Sequence, residues 1–134
     1  MGNILIGYDG SDASRKALDR AVSILKENDD LIIVSVVPTQ TLKEFADIDP
    51  NISKAKALAA VNSAVADLKK RCVRVTGLVK EGDIAEEILN LSTDLNCDLI
   101  VIGHKGLSKV GAFALGSVAE KVVRYAKKPV LVVR

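Results

Sequence analysis

Histidine occurs once in this chain, at position 104, and cysteine twice, at 72 and 97. A lone histidine leaves nothing around which to build a metal cluster, so no metal site made of side chains is expected. The two cysteines lack a CxxC spacing and read as reduced packing thiols. Neither sign of charge is in excess: 19 basic and 17 acidic residues leave a net +2, which gives no footprint for nucleic acid. No apolar run approaches the roughly 18 residues that cross a bilayer, so no membrane association is predicted. The opening MGNILIGYDG has no basic segment before its apolar stretch and meets acids soon after, so a secretory signal is not expected. These absences point to a cytoplasmic protein. No internal repeat or second domain is evident, and residues 1–134 are read as one domain.

What the chain does have is aliphatic. Hydrophobic residues make up 49% and charged residues 27% of it, the balance of a compact globular protein. Five short Val- and Ile-rich stretches, at 3–8, 31–37, 72–79, 98–103 and 129–134, are bounded by turn residues and predict strands. Between them apolar residues recur at helical spacing: Ala17, Leu18, Ala21, Val22 and Leu25; Leu58, Val61, Val65 and Leu68; Ile84, Ile88, Leu91 and Leu95; Val118, Val122 and Val123. Such alternation predicts a doubly wound α/β fold: a five-stranded parallel sheet with helices on both faces. Strands 1, 2, 4 and 5 are nearly all apolar, as burial from both sides requires. Residues 38–50, bracketed by two prolines, read as a mobile loop before the second helix.

Open parallel sheets bind ligands beyond the carboxyl ends of their strands, where the strand order reverses. With the order 3-2-1-4-5 the crevice opens between Asp9, after strand 1, and Gly103, at the end of strand 4. Two known phosphate loops fail there. Gly106-Leu-Ser-Lys-Val-Gly111 is followed by Ala112-Phe113, which lacks the lysine and hydroxyl of a P-loop, and GYDGSD after strand 1 is not GxGxxG.

The stretch GHKGLSKVGAFALGS, residues 103–117, holds four glycines and two lysines and no carboxylate. Gly106 is expected to turn with positive φ and expose main-chain N–H groups to an anion. Gly116 and Ser117 are expected to open the last helix, whose positive dipole end favours phosphate. Lys105 and Lys109 add positive charge. Plainer readings stand beside these. Ser117-Val-Ala-Glu120 fits a capping box, Asp9 fits a turn residue ahead of a cap at Ser11 or Asp12, and the glycines fit a loose surface loop. His104 reads as a solvated or backbone-bonded loop residue. Asp83-Ile-Ala-Glu86 is a cap pattern for the third helix, and the pairs Asp29-Asp30 and Glu86-Glu87 read as solvated surface.

The spacing Gly103-x2-Gly106-x9-Gly116-Ser117, with ILIGYDGSDAS at the start and VLVVR at the end, resembles the universal stress proteins, in particular their nucleotide-binding branch. The resemblance spans the whole chain. It implies an adenine-nucleotide alpha-hydrolase-like, Rossmann-like fold, with ATP as ligand and magnesium or manganese on its phosphates. It implies that Asp9 meets the ribose or adenine edge and that Val36 lines the adenine pocket. The triphosphate would then lie on Gly103, His104, Gly106, Gly116, Ser117 and Val118. Ala119 departs from the pattern, because many nucleotide-binding members carry a further hydroxyl there.

The loop offers no acid or arginine to drive phosphoanhydride hydrolysis, which favours a binding and regulatory module over an enzyme. A slow ATPase and a dimeric member that binds no nucleotide are the alternatives. Strand 5 has four consecutive aliphatics and no interior charge, which an exposed sheet edge avoids. It is expected to pair with its copy in a homodimer, as the family resemblance also implies.

Overall fold

A computed structural model describes residues 2–39, 50–106 and 115–134. The elements run β1 (Asn3–Gly7), α1 (Asp12–Ile24), β2 (Asp30–Pro38), α2 (Pro50–Lys70), β3 (Val75–Gly82), α3 (Ile84–Asp94), β4 (Leu99–Gly103), α4 (Ser117–Tyr125) and β5 (Val130–Val133). All strand pairs are parallel and the sheet order is β3-β2-β1-β4-β5, as the sequence predicts. The expected loop at 38–50 lies almost wholly outside the described residues; of its ends, Pro38 closes β2 and Pro50 opens α2.

Strand alternation divides the core in two. Leu5, Val34, Ile100 and Ile102 face Ile88 of α3 and Val122 of α4, while Ile6, Ile33 and Val101 face Ala17 of α1 and Val61 of α2. Because the central strands are covered from both sides, Leu5, Ile6, Ile33, Ile100 and Val101 have no exposed surface. Every large side chain removed from water here contributes on the order of 1.5–3 kcal/mol.

Three expectations are corrected. Strand 3 starts at Val75 rather than Cys72, because α2 ends in a tight turn that Cys72 occupies at φ 61°, with Val73 N–H bonded to Leu68 O at 3.0 Å. Arg74 therefore sits just outside the strand, where its Nε meets Asp30 Oδ1 at 3.0 Å. Leu58 and Val123 are about half exposed, since the buried stripes run through Val61 and Leu68 on α2 and through Ala119 and Val122 on α4. Cys97 is a buried packing thiol, and its burial, helped by Asp98, pushes its pKa up; Cys72 is exposed rather than packed in the core.

Candidate functional site

The loop after β1 is set by its own polar groups. Gly10 takes φ +81°, which a side chain rarely adopts, and Asp9 Oδ1 accepts the Ser11 N–H at 2.9 Å across that turn. Ser11 then caps α1, its Oγ accepting from Ser14 N at 3.2 Å. The turn reading of Asp9 is thus realised through one carboxylate oxygen. The other, Oδ2, is turned toward Gly106, where an added Cβ would stand 3.1 Å from it.

The end of β4 lies against the start of α1. A Cβ on Gly103 would stand 2.9 Å from the carbonyl carbon and oxygen of Ala13, so only glycine lets the two backbones approach this closely. Beyond it, His104 N–H donates to Val133 O at 3.0 Å and His104 O accepts from Gly116 N at 2.6 Å. This second bond brings the two ends of the loop together, and a Cβ on Gly116 would come within 3.1 Å of Lys105 Cα. Gly106 does not adopt the positive φ expected of it; its bare Cα serves the close approach to Asp9 instead.

The helix starts separate capping from binding. Asp83 caps α3 as predicted, Oδ2 accepting Glu86 N–H at 2.9 Å. Ser117 does not cap α4: Gly116 holds the cap position with no side-chain bond, and Ser117 is the first helical residue, with its side chain exposed. Its expected partner Glu120 is turned away to Arg124 at 2.8 Å. The capping-box reading is therefore overturned, and the first turn of α4 has no side-chain acceptor among the described residues.

A cleft of about 640 Å³ opens at the carboxyl ends of β1, β2 and β4, where the strand order reverses. Asp9, Val36, Gly103, Gly106, Gly116, Ser117 and Val118 all border it. His104 does not: its backbone is engaged by Val133 and Gly116, and its ring Nδ1 is buried without a partner among the described residues. Lys105 borders the cleft, whereas Lys109 lies outside the described residues. Ala119 forms part of the wall at 3% exposure.

Sequence reasoning missed the contribution of α2. Ser53, Lys56, Ala57 and Ala60, spaced to share one helix face, form a wall of the cleft opposite Val37 and Pro38 of β2. The signal available was that small residues occupy this stripe where Val61 and Leu68 follow deeper down. Among the described bordering residues, Asp9 is the one carboxylate and Lys56 and Lys105 are the cations. No group of three or more potential metal ligands occurs among the described residues.

These features define a doubly wound α/β fold with a cleft at its topological switch point. The universal stress protein family model matches residues 1–134. Universal stress protein YxiE of Bacillus subtilis is 35% identical over 147 residues, covering 100% of this chain and 99% of the relative. The chain belongs to the universal stress protein family. Among solved structures, universal stress protein UspA from Lactobacillus plantarum superposes with TM-score 0.81 at 25% identity, covering 99% of this chain and 97% of that one. A universal stress protein solved in complex with cAMP superposes with TM-score 0.76 at 29% identity and the same coverage. No helix among the described residues is long and apolar enough to cross a membrane.

Proposed function

We propose that this chain is a cytoplasmic regulatory module that binds an adenine nucleotide, ATP foremost, in the cleft between β1, β2 and β4. The observation that carries the reading is the uncapped first turn of α4, set beside Gly103, Gly106 and Gly116 on the rim of a cleft large enough for a nucleotide. Gly116, Ser117 and Val118 present the positive end of the helix dipole to the phosphates, and Lys105 adds charge from the loop. Asp9 Oδ2 accepts from the nucleoside, and the β2 backbone at Val36 lies along the base. The related protein solved with cAMP supports an adenine nucleotide as the ligand class. Magnesium or manganese fits only as a passenger on the phosphate oxygens, because the described residues bordering the cleft supply one carboxylate and no ligand cluster.

The chain binds rather than hydrolyses. Among the described bordering residues there is no arginine and no acid besides Asp9, one of whose oxygens already accepts from Ser11. Isothermal titration with ATP, ADP and AMP tests the reading: saturable heat is expected, and silence with all three would end it. Single-turnover incubation with ATP tests the second part, where turnover abolished in Asp9→Ala would make the protein an ATPase. The protein pairs with its copy along β5, the sheet edge that carries four aliphatics in succession.

A further inference from the structure

Three polar residues are buried among the described ones: Ser14, Ser35 and Ser92. Ser14 Oγ donates to Ser11 O at 3.0 Å and Ser92 Oγ to Leu89 O at 2.7 Å. The hydroxyl of Ser35, a residue 6% exposed, has no such partner among the described residues. It interrupts the aliphatic run of β2, LIIVSVVP, and it borders the cleft. An aliphatic residue at that point would extend the core; the hydroxyl instead keeps accessible surface on the cleft and is free to bond whatever enters it.

We infer that Ser35 is the specificity-determining residue for the nucleoside part of the ligand, hydrogen-bonding the polar edge of a planar base seated in a lobe on the α2 side of the cleft. The inference rests on the nucleotide reading above. Ser35 shares strand parity with Leu31 and Ile33, so it points to the face covered by α1 and α2. The lobe there is bounded by Tyr8 and Val37 from the sheet and by Ser53, Ala57 and Ala60 from α2. Val37, Ala57 and Ala60 make its walls largely apolar, with the hydroxyls of Tyr8 and Ser53 at its border, and the small residues of the helix side leave width for a flat ring. The Ser35 hydroxyl on the sheet side then fixes the ring's orientation, as the few polar groups of a largely apolar ligand pocket do.

Distance along the sheet supports the assignment. The first turn of α4 follows β4, and β1 stands between β4 and β2. Two strand spacings make about 10 Å. A phosphate chain held at Gly116 therefore carries its nucleoside over β1 toward Ser35, and Ser35 itself is too far along the sheet to serve the same phosphates.

Titration of the full chain and of Ser35→Ala with ATP and with inorganic tripolyphosphate tests this. The variant is expected to bind ATP about tenfold more weakly, the loss of one hydrogen bond from a buried site. Its affinity for tripolyphosphate is expected to be unchanged, and its resistance to urea equal to or above that of the parent. Ser35→Cys, which keeps the volume and weakens the hydrogen bond, repeats the measurement should the alanine variant fold poorly. Unchanged ATP affinity in both variants, or equal losses for ATP and tripolyphosphate, would overturn the inference while leaving nucleotide binding intact. A parent chain that binds tripolyphosphate as tightly as ATP would do the same. A parent chain that binds neither would overturn the nucleotide reading and this inference together.

Discussion

Asp9 and Gly106 face each other across the mouth of the cleft, the carboxylate Oδ2 standing 3.1 Å from where a methyl on the glycine would be. The contact is tight, but Asp9 is an exposed side chain that can give way. Gly106→Ala is therefore expected to leave stability within about 0.5 kcal/mol of the parent, as surface changes do. It displaces the carboxylate proposed to meet the nucleoside, so ATP affinity should fall severalfold. Urea unfolding and calorimetric titration on one preparation separate the two effects.

Gly103→Ala should behave in the opposite way. Its new Cβ would meet the backbone of Ala13 at 2.9 Å, and backbone in a packed helix cannot step aside cheaply. Overpacking of this kind costs about 1–3 kcal/mol. The expected outcome is a lower urea midpoint with an unchanged slope, whether or not nucleotide is present.

Ser11 and Ser117 both stand at helix starts, yet their hydroxyls do different work. Ser11 caps α1, so Ser11→Ala should cost about 1 kcal/mol of stability. Ser117 is an exposed first-turn residue with Gly116 as the cap, so Ser117→Ala should change stability by less than about 0.5 kcal/mol. It should nevertheless weaken nucleotide binding, because the hydroxyl borders the cleft. Equal stability losses in the two variants would mean that Ser117 caps after all.

The parallel α/β architecture was legible because the aliphatic runs of β1, β2 and β4 mark burial from both sides, and helix periodicity between the strands forces parallel crossovers; β5 carries the same kind of run but is an edge strand whose residues are only partly buried. The start of β3 was not legible, because Cys72 and Val73 look like strand residues and are held instead by the C-terminal turn of α2, a bond to Leu68 that composition does not signal. The glycine rim could be read from spacing alone, although Gly106 serves a close approach to Asp9 rather than a left-handed turn. The wall from α2 and the unpartnered hydroxyl of Ser35 were hidden. Alanines and serines carry no chemistry by themselves, and only the packing of α2 over β2 turns them toward the cleft.

Acid should loosen the α3–α4 side of the molecule first through Asp83. The Glu86 N–H it accepts holds its carboxyl below the usual carboxylate value, with Lys121 at 3.1 Å helping. A carboxyl whose folded pKa is depressed contributes stability above its unfolded value, near 3.8, and loses it as pH falls through the lower folded value. Asn caps nearly as well as Asp but does not titrate. Asp83→Asn should therefore show a shallower loss of urea midpoint below about pH 4 than the parent, while losing the ion pair to Lys121 at neutral pH.

The open edge of β5 allows a test that leaves the cleft untouched. Pro129 O accepts from Ile100 N and Val133 O from His104 N, so alternate residues of β5 turn their backbone groups toward β4. Val130 and Val132 lie between them and turn theirs to the free edge, next to a helix that leaves Tyr125 60% exposed. If that edge pairs with a second copy, proline at 132 removes a donor from the new ladder and none from the bond pattern with β4. Sedimentation at micromolar concentration should find the parent chain dimeric and Val132→Pro monomeric, with circular dichroism unchanged. A monomeric parent would leave the four aliphatics of β5 without the partner that their exposure calls for.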